Sequence, residues 1–74
     1  MGNLRILKES KVGYQLEYNG ETIRTCPTFP QLVTALIEES HYKTYGEATL
    51  AGRFNKEERT AIMGLVGLIL DTKD

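Results

Sequence analysis

Hydrophobic and polar residues alternate in the first third of the chain and recur at helical spacing in the rest. Asn3 to Lys8 reads as a strand with Leu4 and Ile6 inward and Arg5 outward. Leu7 breaks the alternation, which predicts partial cover on both faces. Glu9-Ser10-Lys11 makes a tight connection. Val12 to Tyr18 alternates again, and Asn19-Gly20 separates it from Glu21 to Cys26. Asn-Gly between alternating runs is a strong hairpin signal, because a type I′ turn needs positive φ at both central residues. A two-residue loop pairs Tyr18 with Glu21, Leu16 with Ile23 and Tyr14 with Thr25. Val12, Tyr14, Leu16, Tyr18 and Ile23 then share an apolar face, while Gln15, Glu17, Thr22 and Arg24 share a wet one with Arg5. The wet face mixes both charges and reads as plain surface or as a recognition face.

Cys26-Pro27 ends the strand. Thr28-x-x-Gln31 fits a capping box, with Pro30 in the first turn of a helix over residues 29 to 41. Phe29, Leu32, Val33, Leu36 and Ile37 make its apolar stripe, with Gln31, Glu38 and Glu39 off it. His41-Tyr42-Lys43-Thr44-Tyr45-Gly46 forms a polar, aromatic connection. Thr44-x-x-Glu47 is a second capping box, opening a short helix through Ala48, Leu50 and Ala51 to Arg53. Asn55, with Glu58 three residues on, caps a last helix over residues 56 to 70. The predicted fold is α+β: a three-stranded antiparallel meander followed by two or three helices packed on one face, in the order βββααα.

The last helix bears on assembly. Ala61-Ile62-Met63-Gly64-Leu65-Val66-Gly67-Leu68-Ile69-Leu70 is apolar on every side, and such a helix must be buried on every side. Ile62, Leu65, Val66 and Ile69 suit the sheet; Ala61, Met63, Leu68 and Leu70 fall elsewhere on the circumference. Gly64 and Gly67 each lower helix propensity by roughly 1 kcal/mol against alanine, which close approach of a second backbone would offset. Either the Glu47–Arg53 helix and the 42–46 loop cover the second side, or a second copy or partner does. With 74 residues and one cysteine, the single domain has a thin stability margin and no internal disulfide. We therefore expect a homodimer, with Met63, Gly64, Gly67, Leu68 and Leu70 as the self-association surface.

Charge and chemistry narrow the function classes. Nine basic and ten acidic residues nearly cancel, unlike a protein that binds nucleic acid by neutralising phosphates. Cys26 and His41 are the single cysteine and histidine, without a surrounding catalytic motif, so neither a nucleophile nor a His/Cys zinc cluster is expected. Cys26 reads as a small half-buried residue at a strand end, and His41 as a helix-end residue suited to the dipole. The expectation is no enzyme, no cofactor and no metal. Tyr42, Lys43, Tyr45, Arg53, Lys56 and Arg59 could converge where the helices meet, as a surface for a protein partner or, in the alternative, for nucleic acid. The 50–59 stretch has a faint likeness to a helix-turn-helix, but Glu57 and Glu58 would repel phosphate. Met1 to Leu7 is strand-like and interrupted by Arg5, so no signal peptide is expected. The ten-residue apolar run is too short for a bilayer, which needs about 20 residues, so a cytoplasmic location without membrane contact is expected.

The Tyr14–Arg24 hairpin around Asn19-Gly20 and the apolar closing helix give the chain a general resemblance to small accessory proteins of phages and mobile elements. The resemblance implies a non-enzymatic module that binds, and in that setting inhibits, a host protein in the host cytoplasm. It implies no site residues.

Overall fold

The computed structural model describes residues 2–43 and 45–71, with side chains as far as Leu68. The elements are β1 (Gly2–Glu9), β2 (Gly13–Tyr18), β3 (Glu21–Cys26), α1 (Phe29–Ser40), β4 (Tyr45–Gly52) and α2 (Lys56–Asp71). The four strands form one mixed sheet in the order β3-β2-β1-β4, with β4 parallel to β1 and the other pairs antiparallel. This corrects the predicted three-stranded meander with two or three helices: the described residues hold four strands and two helices.

The correction lies in the segment read as a short helix. Residues 45–52 are extended, and Thr44, the cap proposed for that helix, lies outside the described residues. Two terms favour the strand. A helix of about seven residues has too few hydrogen bonds to repay its nucleation. As a strand, the segment sets Ala48 beside Leu4 and Leu50 beside Ile6. It thereby completes the ladder of β1 and takes Leu4 and Ile6 to full burial. Gly52 (φ +100°) ends the strand against the backbone of Lys8, where a side chain would collide.

The hairpin also departs from its expected register. Asn19 and Gly20 have positive φ, and Tyr18 pairs with Glu21 as anticipated. Beyond Glu17–Thr22 the register shifts, so that Leu16 faces Arg24, and Tyr14 faces Cys26. Ile23 is the extra residue of a β-bulge. Because paired residues share a face, the bulge moves Arg24 from the wet side to the helix side. There its Nε donates to Glu39 Oε2 at 3.0 Å and its Nη2 to Glu38 Oε1 at 3.0 Å. Val12 is likewise not part of the apolar face; it lies in the turn before Gly13 and is exposed.

Both helices pack on one face of the sheet. Leu4, Ile6, Tyr14, Leu16, Leu32, Ala35, Leu36, Phe54, Ile62 and Val66 form the core between the layers. α1 starts where predicted, with the Thr28 side chain accepting from Gln31 N at 3.5 Å and Pro30 in the first turn. Glu39, read as lying off the stripe, is instead buried against the sheet with Arg24 and Lys43.

α2 is attached through one carboxylate. Asn55 and Glu58 form the expected reciprocal cap, Glu58 N donating to Asn55 Oδ1 at 2.8 Å and Asn55 N to Glu58 Oε1 at 3.0 Å. Glu58 also receives Lys8 Nζ from β1 at 2.7 Å and the Tyr14 hydroxyl from β2. The Lys8 hydrogen bond, then that of Tyr14, holds its carboxyl down at about 2. Around this point Tyr14 packs edge-on against Phe29, with ring centroids 5.8 Å apart, and beside Phe54 at 6.1 Å.

Glu58→Gln removes the charge but keeps the shape, and should lower stability in urea unfolding by about 2 kcal/mol, as expected for charge-assisted bonds. A carboxyl whose pKa is depressed on folding stabilises above its ordinary range and loses that contribution on acidification. Wild-type stability should therefore fall as pH drops from 4.5 towards about 2, with a shallower fall in Glu58→Gln.

Candidate functional site

The face of α2 turned from the core is the principal apolar surface. Ile62 and Val66 are buried and Leu65 is partly buried, which fixes the inward side of the helix. At 100° per residue, Met63 and Gly67 fall to one side of the opposite face and Gly64, Leu68 and Ala61 to the other. Met63 is 53% exposed and Leu68 is 66% exposed. A methyl group added at Gly64 or Gly67 would meet nothing within 4 Å. The close approach expected at these glycines is thus absent among the described residues. They form an open trough, walled by Met63 and Leu68. The Glu47–Arg53 helix that would have covered this side does not exist. The side chain of Leu70, expected on the same surface, lies outside the described residues.

The six residues expected to converge do not form one surface. Tyr42 and Lys43 follow α1 and Tyr45 begins β4, whereas Arg53, Lys56 and Arg59 follow the strand's other end. β4 holds these groups apart by its own length, roughly 23 Å at 3.3 Å per residue. Tyr42 is 83% exposed, while Tyr45 is only 2% exposed and belongs to the core. Lys43 Nζ donates to Glu39 Oε1 at 2.8 Å and lies over the Tyr18 ring. The Lys43 hydrogen bond is the chief cause of Glu39 lying below the usual carboxylate range.

Two open hollows complete the surface. One, of about 360 Å³, is lined by Lys8, Ser10, Gly52 and Arg53 at the carboxyl ends of the parallel strands β1 and β4. Lys8 is paired there with Glu58, and the α2 cap occupies the backbone N–H of Glu58. The other, of about 310 Å³, includes Cys26, Arg24 and Glu38. Burial pushes the Cys26 thiol up, which keeps it protonated, and His41 does not line the hollow. His41 ends α1, its backbone N–H bonded to the carbonyls of Glu38 and Glu39. Among the described residues no group of three His, Cys, Asp or Glu side chains is placed to hold a metal, and no helix is long and apolar enough to cross a membrane.

The chain matches no family model, no curated protein and no solved structure. Its own geometry therefore carries the functional reading.

The sequence reading missed the free edge of β4. The signal was present as a period of two: Ala48 and Leu50 face the helices, Glu47 and Thr49 face outward, and Gly46 and Gly52 bracket them. The Thr44-x-x-Glu47 spacing pointed to a helix instead.

Tyr45 supplies a test of this end of the sheet. Its hydroxyl is buried without a hydrogen-bond partner, and burial, with Glu39 nearby, pushes its pKa up to about 12. Tyr45→Phe should raise stability by about 1 kcal/mol in urea unfolding, because a desolvated, unmatched hydroxyl is removed. A phenol whose pKa rises on folding destabilises the fold as pH climbs from its ordinary value of 10.0 towards about 12. That part of the alkaline loss should vanish in Tyr45→Phe.

Proposed function

We propose that this protein is a non-enzymatic binding module that self-associates through the outer face of α2. The observation that carries the reading is the pairing of Met63 and Leu68, both more than half exposed, with an open trough at Gly64 and Gly67. Large apolar side chains around a small-residue groove give a surface on which one helix can seat its side chains against another at close range. A second copy is the simplest occupant, because a two-fold axis lets each Leu68 enter the trough of the other helix. The near-neutral charge suits such pairing, since a net charge of -1 adds little repulsion between copies.

Binding of a further protein, such as the host target implied by the resemblance to phage accessory proteins, would then use what the dimer leaves free. Tyr42 is the most exposed large hydrophobic residue among the described residues. The alternative of a nucleic-acid regulator drawing on residues 42 to 59 is not favoured, because β4 parts Lys43 from Arg53, Lys56 and Arg59, and Lys43 is already paired with Glu39.

Light scattering over a dilution series tests the reading. Wild type should pass from dimer to monomer on dilution. Leu68→Glu should be a folded monomer at every concentration, since the side chain is exposed in the single chain and its charge would be buried in the dimer. A wild type that stays monomeric at high concentration would overturn the proposal.

A further inference from the structure

The outer face of α2 is too small to hold a dimer alone. A helix of 16 residues is roughly 24 Å long and ~10 Å wide, a footprint of about 240 Å². A standard interface takes about 800 Å² from each partner. Against a total surface of 4839 Å², that is about one sixth of the molecule, so a neighbouring element must contribute.

β4 is that neighbour. It packs against α2 and runs directly into it. It is also an edge strand, with no strand beyond it among the described residues. The two edges of the sheet differ. β3 carries the bulge at Ile23, two charged residues in six, and Pro27 just past its end, all of which discourage further pairing. β4 has eight residues, no proline and one charge, Glu47. Its irregularity lies at Gly46, opposite the shift between Gly2 and Asn3, so residues 47–51 are regular up to the turn at Gly52. The outer backbone groups of a regular edge are a template for another strand.

The side chains along this edge point to the same occupant. Ala48 and Leu50 lie on the helix side, as the partners of Leu4 and Ile6, and are only partly buried. Leu65 of α2 is also only partly buried against the same core. The regular stretch 47–51 is centred on Thr49. Antiparallel pairing of two copies about Thr49 sets Thr49 opposite itself, Ala48 opposite Leu50 of the second copy, and Glu47 opposite its Ala51. A register centred two residues earlier would set Glu47 against itself. Centring on a residue rather than between two keeps both helix layers on one side of the joined sheet, because paired residues share a face. The two α2 helices then lie side by side over a doubled seam of Ala48 and Leu50.

We propose that the open edge of β4 is the second half of the self-association surface, joining two sheets antiparallel about Thr49 into one of eight strands with the α2 helices packed together above the junction. This rests on the α2 reading above.

Cross-linking tests it separately. In an antiparallel pair, opposed residues have Cα atoms about 4.5 or 5.5 Å apart, within the range of a disulfide. Thr49→Cys in a Cys26→Ala background should form a disulfide-linked dimer in a glutathione redox buffer. Thr22→Cys, equally exposed but on the guarded edge, should not. Thr49→Glu sits beside Arg5 in its own sheet but faces itself across the junction. It should raise the dimer dissociation constant about tenfold, with the circular-dichroism spectrum unchanged and the Tm unchanged at concentrations where both proteins are monomeric. If wild type dimerises and Leu68→Glu does not, yet Thr49→Cys fails to cross-link, the β4 junction is wrong and the α2 reading stands. If wild type never dimerises, both fall.

Discussion

The attachment of α2 to the sheet depends on the Glu58 carboxylate. It binds a lysine from β1, a tyrosine from β2 and the backbone N–H of its own cap, so three elements meet on two oxygens. An ionised carboxylate can accept several bonds at once, whereas a neutral amide in its place would offer one oxygen. The charge is sustained because Lys8 and Tyr14 both donate to it, and Lys8 is in turn held as a cation by Glu58. The Tyr14 ring carries this polar point into the core through Phe29 and Phe54. The same residue therefore serves the hydrophobic layer with its ring and the ionic tie with its hydroxyl.

A second tie does the same work for α1. Glu39 binds Arg24 and Lys43, and Arg24 reaches it only because the bulge at Ile23 turns that residue towards the helices. A chain this small cannot hold two helices on a sheet by apolar burial with much to spare. Each helix adds a largely buried acid, paired to basic residues of a strand or of its own end, and these acids fix where the helices sit as well as how tightly.

The exposed apolar surface has one origin. Once the segment 45–52 joins the sheet, nothing in the described chain remains to cover the far side of α2. The strand that buries Leu4 and Ile6 leaves Met63 and Leu68 in water and presents a new open edge. Both surfaces are of kinds that pair with a like surface: a helix face with a small-residue trough, and a strand edge.

Elements whose signals are local can be read directly from the residues. The Asn19-Gly20 hairpin, the Thr28 and Asn55 caps, and the limits of α1 and α2 were all legible, because turn geometry and capping act within about four residues. So was the outward-facing apolar side of α2, which follows from composition and period alone. Tertiary structure decided the rest. Residues 45–52 carry weak preferences either way, and the choice fell to contacts with Leu4 and Ile6, more than forty residues earlier. The bulge at Ile23 was invisible because strict alternation and a two-residue turn predict an unbroken ladder; it forms where Arg24 gains two carboxylates that α1 supplies. The split of the Tyr42–Arg59 group follows from the same strand. Whether those residues converge depends on the length of the element between them, and that element was settled by the energy of burying distant side chains.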